Sequence, residues 1–199
     1  MIEPNYDETA DTGEPKPPKA AHRTWLIWIA AAIILLDQFS KYFVESALPL
    51  YKSWAPFPSI AAFFRISHTS NTGIAFGMFP AGSTIFGWAA VFVAAAILIY
   101  NYTLPEGQFN LRLALGLQMG GALGNWIDRQ RIGHVTDFLD FGPWPVFNVA
   151  DTAVVAGAIL LAWLLWREER QIAAANAARK AAEEESGSEM QQFGNEAAQ

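Results

Sequence analysis

With 199 residues, the chain is long enough for one domain or one small helical bundle. Hydrophobic residues make up 52% and charged residues only 16%, where about 25% is usual for soluble domains, and the charges gather at the two ends. The absence of cysteine excludes a Cys nucleophile, thiolate metal sites and disulfides, while the net charge of −6 resides largely in acidic tails and no basic patch with interleaved aromatics points to nucleic acid.

Residues 1–22 are rich in Pro, Asp, Glu and Thr without periodicity and read as a disordered leader. Their acidic start is not that of a cleavable signal peptide, which opens on a basic region directly joined to an apolar core. Trp25 to Val44 predicts a first helix of about 20 residues, the length that crosses a bilayer core. Asp37, Lys41 and Glu45 follow one another at i, i+4 and i+8 on one face of it. Residues 47–80 carry Pro49, Pro56, Pro58 and Pro80 among short aromatic runs, which suits an ordered extramembrane segment with short strands. Gly82 to Tyr102 holds no charge and predicts a second spanning helix. Phe109 to about Gln130 predicts a third, and residues 131–148 return to loop and turn composition. Val149 to Trp166 predicts the fourth, followed by a polar Ala/Glu-rich tail over 168–199, helical at first and then disordered. The expected fold is therefore an all-α membrane protein: a four-helix bundle over 23–167 with a small β-containing segment between helices 1 and 2.

Four spans bring both ends to one side. Lys16, Lys19, Arg23, Arg112, Arg167, Arg170, Arg179 and Lys180 gather there, against Lys52, Arg65, Arg129 and Arg131 on the other. The excess of positive charge on cytoplasmic loops places both termini in the cytoplasm and the 47–80 and 131–148 segments outside.

Asp137 and Asp151 fall on that outer side, separated by thirteen residues. A carboxylate near hydrocarbon costs a few kcal/mol and points to function by default. Two brought together can share one proton, so that one serves as base and the other as acid. Taken singly, Asp151 reads as a helix-start partner of the Asn148 cap, and Asp137 as a solvated loop carboxylate. Asn125, Asp128 and Arg129 share one helix face, either as an intrahelical pair or as a shell that orients the carboxylates. Asp128 competes with Asp137, although Arg129 beside it favours its charged form. Asp37 and Lys41 read as a structural i,i+4 pair. Gly116, Gly120 and Gly124, with Gly121, form a small-residue stripe for close helix packing, with room for a substrate helix as a second possibility. Asn71 opens a turn with Gly73 and Gly77, within reach of a peptide.

Other chemistries fit less well. His22, His68 and His134 lack the helical spacing of a zinc protease, and the adjacent Ser40 and Lys41 diverge by about 100° on a helix. A proton-conducting or scaffold protein remains an alternative, but its ionisable groups belong near the midplane rather than at one end of the helices.

Five motifs in order, Asp37-Gln-Phe-Ser-Lys41, Asn71-Thr-Gly-Ile-Ala-Phe-Gly77, Gly120-Gly-Ala-Leu-Gly-Asn-Trp-Ile-Asp-Arg129, Gly133-His-Val-Thr-Asp-Phe138 and Phe147-Asn-Val-Ala-Asp151, resemble the lipoprotein signal peptidases (signal peptidase II). The resemblance covers residues 37–151, with Ile74 and Thr136 as mild variants away from the chemistry. It implies an aspartic endopeptidase of the bacterial inner membrane that acts without metal or cofactor. The implied partners are membrane lipid and a diacylglyceryl-modified prolipoprotein, cut just before the lipidated cysteine by a monomer. Matched position by position, Asp137 and Asp151 are the implied catalytic dyad. Asn71, Asn125, Arg129, Asn148, Asp128, Asp37 and Lys41 are the implied supporting or substrate-binding residues.

Overall fold

The structure is a computed structural model that describes residues 21–73 and 82–197. The leader before Ala21 and the second half of the Asn71–Gly77 motif, Ile74 included, lie outside the described residues. Within them the chain runs α1 (Ala21–Ala47), β1 (Ser53–Trp54), a 3-10 turn (Pro58–Ile60), β2 (Arg65–Asn71), α2 (Gly82–Thr103), α3 (Phe109–Ile132), β3 (Val135–Asp140) and α4 (Val149–Ala197).

α3 is the hub, packing against α1, α2 and α4, while α1 meets α2 and α4 only lightly. Its glycines explain why. A methyl group at Gly116 would sit 2.9 Å from Ile29, and one at Gly120 would sit 2.8 Å from the Ala30 carbonyl. On the other face Gly121 lies directly under the Ala150 carbonyl of α4, and Gly157 answers from α4 against Ala114 of α3. The stripe thus brings two backbones together, as small residues do where helices have no hydrophobic drive to associate. It leaves no room for a further helix, because α1 and α4 fill both faces. Leu26, Ala30, Ala94, Ile97, Leu104, Leu115 and Met119 form the apolar core.

The outward faces are apolar instead of polar. Leu35, Leu36, Phe39 and Phe43 on α1, Phe92 and Ile99 on α2, and Val155, Ile159 and Leu165 on α4 are exposed. Among the described residues, Arg23–Ala47 and Val149–Lys180 are long and apolar enough to cross a membrane, and Gly87–Thr103 is a shorter apolar stretch.

The loop expected over 131–148 holds a strand. β1, β2 and β3 form one antiparallel sheet in that order, so the segment between α1 and α2 acquires its third strand from beyond α3. Val135 to Phe138 are buried, and that burial, invisible in a turn-rich composition, selects the strand. Gly133 caps α3 with φ +80°, turning the chain straight into β3. A bulge lies between Ile66 and Thr69 of β2, after which Thr69 pairs with Asp137 and Asn71 with Val135. The extra residue switches the face presented by β2, and Asn71 emerges on the same face as Asp137.

Candidate active site

Asp137 therefore stands in the middle of β3 and not in a loop, 2% exposed. Asn71, its diagonal neighbour across the sheet, donates Nδ2–H to Oδ2 at 2.9 Å, and Asn148 donates Nδ2–H to Oδ1 at 2.7 Å. Asn148 is fully buried and precedes the first residue of α4. Its Oδ1 accepts the Asp151 backbone N–H at 2.9 Å, and its own N–H faces Asp151 Oδ2 at 3.4 Å. That is a reciprocal cap at a helix start, so the structural role expected of Asp151 is real. It does not exhaust the residue, because Asp151 Oδ1 also accepts the amide of Asn125 at 2.7 Å. Burial, partly offset by the Asn71 hydrogen bond and reinforced by the charge of Asp151, pushes the Asp137 carboxyl up from its ordinary 3.8 to about 6.

A second layer lies beneath. The Lys41 ammonium, fully buried, donates to Asp37 Oδ2 at 2.7 Å and Asn125 Oδ1 at 2.9 Å, and stands 2.8 Å from Asp128 Oδ2. The simple Asp37–Lys41 pair is thus a triad across α1 and α3. Asp128 takes Lys41 as its close partner, not Arg129, with Arg131 farther off at 3.7 Å, and its remaining capacity accepts Gln38 and the Thr136 N–H. Asp37 Oδ1 accepts the Ala150 N–H of α4 at 2.9 Å. Arg129 donates to the Asn125 carbonyl at 3.3 Å and lies within the electrostatic influence of Asp151, Asp128 and Asp137. Its buried Nε has no hydrogen-bond partner among the described residues.

All nine residues singled out from the sequence therefore meet in one cluster where β3 passes the ends of α1, α3 and α4. Three that the sequence reading did not count among the site residues join it. Gln38 bridges Asp37, Asp128 and the Gly124 carbonyl. Glu45 holds Arg131 through two hydrogen bonds and accepts the Thr136 hydroxyl at 2.7 Å. Thr136 touches neither Asp137 nor Asp151 through its side chain, but it ties β3 to α1 and α3. The i+8 spacing of Glu45 from Asp37 was the available signal for it.

A family model described as Signal peptidase (SPase) II matches residues 29–167, a span that contains every residue of the cluster. The chain belongs to the signal peptidase II family. Among curated relatives it is 43% identical over 137 residues to the lipoprotein signal peptidase of Moorella thermoacetica, covering 69% of this chain and 89% of that one. It is 37% identical over 155 residues to the lipoprotein signal peptidase of Pseudomonas syringae pv. tomato, covering 73% and 87%. Two solved structures described as bacterial membrane enzymes superpose with TM-scores of 0.65 at 28% and 29% identity, covering 72% and 70% of this chain. This signal peptidase II homologue is thus a protease, and its outward apolar helices fit the bacterial membrane.

Proposed function

We propose that the chain removes the signal peptide from diacylglyceryl-modified prolipoproteins, cutting just before the lipidated cysteine, with Asp137 and Asp151 as the catalytic pair. The observation that carries this reading is Asn148, whose side chain donates to the Asp137 carboxylate and accepts the Asp151 backbone N–H, linking two residues close enough for the charge of Asp151 to act on Asp137. Asp37 and Asp128 are engaged by Lys41, whereas the hydrogen bonds that hold the Asp137 and Asp151 carboxylates come from neutral amides, and Arg129 reaches the two only through space. A cation bonded to a carboxylate favours its charged form, so the pair without one is the better placed to share a proton.

With one proton shared by the pair, the ionised carboxylate takes a proton from a water molecule whose oxygen adds to the scissile carbonyl carbon. The protonated carboxyl hydrogen-bonds the carbonyl oxygen and neutralises it as the tetrahedral intermediate forms. The proton taken from water then passes to the leaving amide nitrogen, the C–N bond breaks, and the dyad returns to one proton. The free Arg129 Nε–H supplies a fixed donor for a peptide carbonyl beside the pair. The bundle crosses the membrane four times, with both termini cytoplasmic and the cluster near the outer face, and one copy suffices.

The test is cleavage of a diacylglyceryl-modified prolipoprotein by purified protein in detergent with EDTA present. Wild type cleaves; Asp137→Asn and Asp151→Asn, folded and inserted, do not. Substantial activity in either variant contradicts the assignment.

A further inference from the structure

Behind the strand that carries Asp137 lies a cavity of about 600 Å³, which none of the polar residues around the carboxylates lines. Its walls are Phe39, Phe43 and Ala47 of α1, Trp54 and Ile66 of β1 and β2, and Phe138 of β3. Phe138 leaves β3 on the side opposite its neighbour Asp137. The cavity is roughly four times the ~150 Å³ of an apolar void known to stay dry and accept benzene. Its one side-chain hydroxyl, Ser40 Oγ, already donates to the Asp37 carbonyl at 2.8 Å. Water entering it would find little beyond the spare acceptor capacity of that one hydroxyl.

Two observations say what fills it. Phe39 and Phe43 are 72% and 64% exposed and continue without a break into the lipid-facing side of α1, within a stretch long and apolar enough to cross the membrane. The slot therefore opens sideways onto acyl chains. Two residues before Trp54, itself a wall of the slot, Lys52 is exposed, and its carbonyl accepts the His68 N–H as the β1–β2 pairing continues. Alternation places the Lys52 side chain on the same side as Trp54, and it follows the end of α1 by five residues, which the proposed topology puts near the outer membrane surface. An ammonium at that height complements a phosphate, and exposed Tyr51 and Trp54 flank it as interfacial aromatics do.

We propose that this slot holds one acyl chain of a resident anionic glycerophospholipid of the bilayer, its phosphate beside Lys52, and that the chain backs the strand bearing Asp137. The lipid is a component of the folded enzyme and not its substrate.

Delipidated full-length protein in detergent is titrated with phosphatidylglycerol, and bound lipid is counted by native mass spectrometry. Wild type takes up a single lipid saturably. Ala47→Phe places a ring in the slot and binds about tenfold more weakly or worse, since each methylene displaced carries about fourfold in affinity. Lys52→Glu abolishes the preference for phosphatidylglycerol over phosphatidylcholine. Equal binding by Ala47→Phe and wild type, or uptake that never saturates, overturns the site, and an unchanged headgroup preference in Lys52→Glu overturns the phosphate contact. Stoichiometric displacement by a diacylglyceryl-modified peptide also overturns it, because the slot then belongs to the substrate. Should Ala47→Phe not fold, phosphatidylglycerol brominated on its acyl chains is added instead, and the quenching of wild type is compared with that of Trp54→Phe. A saturable difference supports the slot; no difference sinks it.

Discussion

Lys41 decides which way an amide faces. An ammonium only donates, so Asn125 must turn Oδ1 toward it, and this leaves the Asn125 N–H for Asp151. The fixed orientation passes on to Asn148, whose amide donates both to Asn125 Oδ1 at 3.1 Å and to Asp137. Replacing Lys41 by Met leaves Asp37 buried without a counter-charge and Asp128 with only Arg131 at 3.7 Å, a loss of about 3–5 kcal/mol. We expect a much lower melting temperature, with a further replacement of Asp128 by Asn restoring part of it. No change on Lys41→Met would remove the triad from the account. Asp137 carries the opposite liability. Burial raises its proton affinity in the fold above that of the unfolded chain, so its contribution to stability is full below about pH 4 and is lost as pH rises through about 6. Between pH 4 and pH 7 the stability of Asp137→Asn relative to wild type should therefore rise, by on the order of 2–3 kcal/mol. Melting curves at the two pH values measure it, and a difference independent of pH contradicts it.

At the scale of elements, the site depends on how closely α4 approaches α3. Gly121 lies under the Ala150 carbonyl, in the first turn of α4 between Asn148 and Asp151. A methyl group there must push that turn outward, and overpacking of this kind costs about 1–3 kcal/mol. Gly121→Ala should lose more activity than stability, because a displacement of about 1 Å at a reacting group costs on the order of a hundredfold in rate. Cleavage rates set beside melting temperatures decide this, and wild-type turnover by the variant refutes it. The four helices were legible in the sequence because long, largely apolar runs of about 20 residues have few other fates. β3 was not, since its six residues sit between glycines and prolines and become a strand only because β2 lies alongside. The β2 bulge was equally hidden, being a register between two segments more than sixty residues apart.

At the scale of the molecule, α4 runs on for 49 residues, at about 1.5 Å each roughly 74 Å, more than twice the ~30 Å hydrocarbon core. Its side chains from Arg167 to Lys180 are exposed, so that part of the helix stands clear of the bundle. The proposed topology places it in the cytoplasm with the N-terminus. The natural absence of cysteine makes this simple to check. Single cysteines at Glu14 and Glu183 should be shielded from an impermeant thiol reagent in intact spheroplasts, and one at Trp144 should react. Labelling of Glu183→Cys alongside Trp144→Cys would overturn the four-span arrangement.

The sequence by itself determined the apolar helices, the residues that gather in the cluster, and the family. Each of these is written locally, in hydropathy, residue type and short-range spacing. The tertiary structure decided the division of labour among Asp37, Asp128, Asp137 and Asp151. Lys41 is four residues from Asp37 but eighty-seven from Asp128, and which carboxylates it neutralises depends on how closely glycine lets α1 and α3 approach. Asp137 and Asp151 are left to neutral amides for the same reason: charge pairing in a buried site is settled by distance in space, which no spacing along the chain records.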